Sequence, residues 1–228
     1  MTSPNRRPRV RRGSLIAGGV ALLTLTGCGA LHPGVAVQIG DTSISRDQVD
    51  ALSRIQCDLS KGRPSGSQPR ARMVQATVNI LIETAIDNMY GASVGATYDR
   101  SALQTQVQQF KTGVAKLPPK DRDAITAAFT DYARGRLVIE SAGQRKLKAQ
   151  GQQNPGTDEA INEGSRLAGR WAKKLDIQVD PRYNPGKSNQ AGGGDGSISR
   201  PVSRYSKASA GTGSPAFVAS LPTGLRCG

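Results

Sequence analysis

The chain has 228 residues, enough for one domain and a tail, and 31 Lys+Arg against 17 Asp+Glu give it a formal charge of +14. Five of those cations crowd the first twelve residues, which leaves 26 basic against 17 acidic elsewhere, with a surplus of only four after Tyr183. So modest a surplus, without zinc-finger spacing, an RNP-like motif or interleaved basic and aromatic residues, excludes nucleic acid as the expected partner. It suits anionic head groups or cell-wall polymer better.

The first element is a leader. Arg6, Arg7, Arg9, Arg11 and Arg12 form a positive segment with no acidic residue, and Leu15 to Leu25 is an apolar run. As a helix that run spans about 17 Å, against roughly 30 Å for a bilayer core, so it is too short to stay as a transmembrane span. Leu25-Thr26-Gly27-Cys28 follows and has the form of a lipobox, with a small residue before the cut and a cysteine to take the lipid. The expectation is a signal peptide over residues 1–27, acylation of Cys28, and a short tether over 28–33. The mature chain would then sit on the extracytoplasmic face of the cell membrane.

Val35, Val37 and Ile39 alternate with smaller or polar residues and predict a half-buried strand, closed by a turn at Gly40-Asp41. Ser45 followed by Gln48 is a capping box that starts a helix to about Leu59. Lys61 to Pro69 is a Gly/Pro/Ser loop. A long helix is predicted from about Arg70 to Tyr90. Met73, Val74, Val78, Ile80, Leu81, Ile82, Ala85 and Met89 form its broad apolar side, with Gln75, Asn79, Glu83 and Asp87 recurring opposite. An amphipathic helix follows from about Asp99 to Ala115, ended by Leu117-Pro118-Pro119.

Pro119 suits the first position of a cationic helix running to about Gln150, with Ile125, Phe129, Tyr132 and Ile139 inward. Thr157-Asp158-Glu159 and Lys173-Lys174 put charges that match the helix dipole at the two ends of a last helix. Leu175 to Val179 alternates as a second strand, stopped by Pro181. From Asn184 onward Gly, Ser, Ala and Pro dominate, which predicts a disordered tail over 184–228 whose apolar end, Ala216 to Leu225, is able to dock. Two short strands are not stable alone. The expected fold is therefore mainly α, a bundle of four to five helices over residues 34–183. A small two-stranded sheet in it pairs the first and last strands of the domain.

With Cys28 acylated, Cys57 and Cys227 remain. In an oxidising compartment they either bridge, tying the tail to the first helix, or stay as a small buried hydrophobe and a free tail thiol. The only histidine, His32, lies in the tether, and the cysteines lack ligand spacing, so no metal, cofactor or catalytic residue is expected. Carboxylate pairs such as Asp121 with Asp123, or Asp158 with Glu159, read as helix N-terminal charges.

Val35 to Ser45, the Arg46-Asp47-Gln48-Val49-Asp50 helix start, the apolar helix from Met73 to Tyr90, and the ending Val179-Asp180-Pro181-Arg182-Tyr183 resemble the N-terminal domain of the SurA family of exported chaperones and foldases. The likeness covers about residues 34 to 184. It implies a helical domain that binds unfolded or partly folded exported proteins. No segment is long enough for the parvulin isomerase domain that family members often carry, so the expectation is a non-enzymatic lipoprotein. Met73, Met89, Tyr90, Phe110 and Phe129 are the candidate client-binding residues, repacking around varied apolar segments. The alternative is a structural or assembly lipoprotein with one dedicated envelope partner, reached through its long tail. Oligomeric state is left open.

Overall fold

The computed structural model describes residues 32–61, 67–183 and 215–227. Cys28, the lipobox and nearly all of the tether therefore lie outside the described residues.

The chain enters through β1 (Val35–Ile39), whose Ala36, Val37 and Ile39 are fully buried. Gly40, at φ +53, makes the left-handed bend that a two-residue hairpin needs, and β2 (Thr42–Ser45) pairs back on β1. Ser45 then caps α1 (Arg46–Leu59), its hydroxyl accepting from the Gln48 N–H at 3.1 Å. β3 (Gln68–Pro69) leads into α2 (Arg70–Ser93). α3 (Arg100–Gly113), capped by Asp99, and α4 (Pro119–Ala149), with Pro119 at its start, come next. After α5 (Thr157–Ala172), β4 (Ile177–Val179) returns antiparallel to β1, with Val37 opposite Val179 and Ile39 opposite Ile177.

The molecule is thus mainly helical with a small antiparallel sheet, but the sheet has three strands, in the order β2-β1-β4. The third strand is Thr42–Ser45, which the sequence reading spends on a turn and a helix cap. Four residues with one buried side chain, Ile44, carry too little alternation to announce a strand.

Residues Asp180 to Tyr183 clasp the domain shut. Asp180, 4 % exposed, accepts from Arg46 Nε at 2.8 Å and from the Arg182 N–H at 3.0 Å, while its own N–H donates to the Ala36 carbonyl. The Tyr183 hydroxyl donates to Asp50 Oδ1 at 3.2 Å. Burial, with the Asp50 charge next, raises the tyrosine pKa above its ordinary value.

The end of the chain is also built in. α6 (Pro215–Ala219) buries Val218, and β5 (Arg226–Cys227) pairs with β3 as a second sheet, Gln68 opposite Cys227. Cys57 and Cys227 form a disulfide across 170 residues of sequence. The single disordered tail expected over 184–228 therefore needs correcting at its end. Val218, Leu221 and Cys227 are buried at 3, 4 and 1 %, enough apolar surface to hold a short segment once a covalent tie removes most of its freedom.

One core joins β1, α1, α2 and the start of α4 through Val37, Ile39, Val49, Leu52, Ile55, Val78, Leu81 and Ile125. A second lies between α2, α4 and α5, around Tyr90, Ile139, Ala142 and Ala168. There α4 and α5 touch almost backbone to backbone. A Cβ on Gly143 would stand 1.8 Å from the Ala160 carbonyl oxygen, and one on Gly164 2.1 Å from that of Ile139.

The polar side assigned to α2 holds at Asn79 and Glu83, which are exposed, but not at Asp87. α2 is contacted by α1, α4, α5, β5 and the closing turns, and its later turns are the more covered. Asp87 is 6 % exposed, whereas Ile80, counted as core, is 42 % exposed.

Candidate functional site

Ile80, Thr84 and Asp87 share one face of α2, since residues four and seven apart align on a helix. Thr84 and Asp87 are buried at 7 and 6 %, whereas Ile80 sits beside exposed Asn79 and Glu83 at the edge of the helix's open side. It is exposed because the neighbouring helices part at its level. The space between them is a groove of about 310 Å³.

Each wall has a local reason for being there. α1 contributes Leu52 and Gln56, and the Arg54 guanidinium grips Asp121 at the start of α4 through two bonds of 3.0 and 2.7 Å. That bond holds the Asp121 carboxyl below its usual range and fixes α4 one turn before Ile125, a floor residue. α4 then presents Ala128, Phe129 and Tyr132. The outer wall is α3, which has no buried residue of its own and packs mainly on α4. It attaches through Phe110, whose ring stacks on Phe129 with centroids 4.0 Å apart and planes 2° from parallel. Tyr132, 41 % exposed, tilts against Phe129 at 6.4 Å.

Polar groups in the groove are few. Thr77 Oγ1 lies 2.9 Å from the Met73 carbonyl and 3.1 Å from Gln56 Oε1. Thr84 Oγ1 has no hydrogen-bond partner, although buried hydroxyls normally find one. Glu83 is the one charged side chain that lines the groove. One turn further on, Asp87 is buried in the α2–α4 seam against Gly135. Desolvation first and the Glu83 charge second push its pKa up to about 7, and Arg136 partly opposes them.

The five candidate residues separate. Phe110 and Phe129 are brought together in the groove. Met89 lies by a different cavity of about 450 Å³, with Thr42, Ile44 and Asn88. Met73 is half-buried and lines neither cavity. Tyr90 is 8 % exposed beneath Trp171, with ring centroids 5.9 Å apart, and is a core residue. Ile80 and Tyr132 are the groove residues that periodicity assigns to the core. No signal in the sequence marks them, because a helical wheel gives the face of a residue but not the gap between its neighbours.

Among the described residues no group of three or more His, Cys, Asp or Glu is placed to hold a metal, and no helix is long and apolar enough to cross a membrane. Comparison with known families, curated proteins and solved structures gives no match.

Proposed function

We propose that this chain is a lipoprotein, anchored through Cys28 to the extracytoplasmic face of the cell membrane, that binds unfolded or partly folded exported polypeptides without catalysing a reaction on them. The observation that carries the reading is the groove between α1, α2, α3 and α4. It exposes Ile80 and Tyr132 at 42 and 41 % beside a stacked aromatic pair, two of the four exposed large apolar residues among those described. Apolar walls with a few polar points suit an apolar side chain on a variable segment. The loosely held α3 lets the opening adjust to different clients.

The address rests on the sequence. An arginine-rich start, a short apolar run and Leu25-Thr26-Gly27-Cys28 together specify cleavage and lipid attachment. The Cys57–Cys227 disulfide fits an oxidising compartment. The likeness of both ends of the domain to the SurA N-terminal domain adds the chaperone class.

Photo-crosslinking in cells from probes at positions 80, 110 and 132 tests the reading. Many unrelated, newly exported proteins are expected. Capture of one recurrent envelope protein would instead identify a dedicated assembly factor. Labelling by a fatty-acid analogue, abolished in Cys28→Ala, tests the anchor separately.

A further inference from the structure

We propose that the groove selects polypeptide segments in which a basic residue flanks an apolar anchor, an inference that rests on the polypeptide-binding reading above. The placement of Glu83 carries it. Glu83 is the one charged side chain lining an otherwise uncharged groove; it is exposed, and it forms no ion pair with any described residue. The groove thus carries a single negative charge on an otherwise uncharged lining.

Asp87 lies one turn beyond Glu83, but its burial favours the neutral acid, so Glu83 carries the negative charge of this face. An ammonium or guanidinium entering from the groove would meet Glu83 first.

An apolar anchor for Phe110 and Phe129 and a cation for Glu83 therefore describe one occupant.

The test uses the full chain and three labelled peptides that share one apolar anchor and differ only in the flanking residue, Lys, Gln or Glu. Fluorescence anisotropy at low ionic strength is expected to rank them in that order. The Lys peptide should bind roughly five- to tenfold tighter than the Glu peptide, a gap that closes as salt is raised. Glu83→Gln should level the three, and Glu83→Lys should reverse the order while leaving the Gln peptide unchanged.

Equal affinity for the three peptides, with all binding lost in Ile80→Ser, would overturn the charge selection and leave the groove as a polypeptide site. A preference for Lys that survives in Glu83→Gln would also overturn it, by moving the selection elsewhere on the surface. Failure of all three peptides to bind would overturn the polypeptide-binding reading itself.

Discussion

The seam between α4 and α5 and the wall made by α3 are built on opposite principles. In the seam Gly143, Ala160, Gly164 and Ala168 remove side chains, so the two backbones approach until a single added carbon has no room. At the wall Phe110, Phe129 and Tyr132 add large side chains and the helices stand apart. Close packing resists change in either direction, because both voids and overlaps cost free energy. A half-exposed aromatic contact tolerates displacement. The seam fixes the frame, and the wall leaves a groove open.

The largest break in this contrast is expected from Gly164→Val. Its Cβ would lie 2.1 Å from a backbone oxygen, which cannot rotate aside as a side chain does. A loss of about 3 kcal/mol or more is expected in urea unfolding, with the two helices forced apart.

A pH series separates the seam from the wall next. Asp87 has its folded pKa raised to about 7, above the value of about 4 in an unfolded chain. Between those values the unfolded chain releases its proton first, so the contribution of this group is fully present below about pH 4 and is lost as pH rises toward 7. Stability should fall by on the order of a few kcal/mol across that window, and Asp87→Asn should flatten the profile.

The clasp gives a smaller effect. Asp180→Ala leaves Arg46 without its partner and frees the Arg182 N–H, at an expected cost of about 1–3 kcal/mol by chemical unfolding. Least of all should Ile80→Ser matter to stability. At 42 % exposure its cost should stay near 0.5 kcal/mol, while crosslinking of clients falls sharply. A large loss of stability in that variant would make the groove a flaw in the core rather than a binding surface.

Much of the frame was legible because its signals are local. Ser45, Pro119 and the charged ends of α5 announce helix boundaries through caps and dipoles, and the observed limits fall within a few residues of them. The pairing of β1 with β4 followed from there being too little strand for either to stand alone. What escaped depends on several elements meeting. The α2 periodicity puts Glu83 and Asp87 on one face, but only the arrival of α4 at Gly135 buries the second and leaves the first in the open. Ile80 and Tyr132 read as core for the same reason. The end of the tail is apolar enough to dock, yet its strand partner at Gln68–Pro69 is two residues long and carries no pattern of its own.

The bond between Cys57 and Cys227 also decides how the molecule would carry tension. The two sulfurs lie 170 residues apart along the chain, one in α1 and the other a single residue from the C-terminus. A pull applied to the two ends passes through the disulfide and skips everything between, including α2, α3, α4 and α5. Only the residues up to Cys57 can be drawn out, with the hairpin and α1 yielding first. Helices α2 to α5 lie inside a covalent loop that bears no load, so traction across the bond could not draw those four helices out into thread.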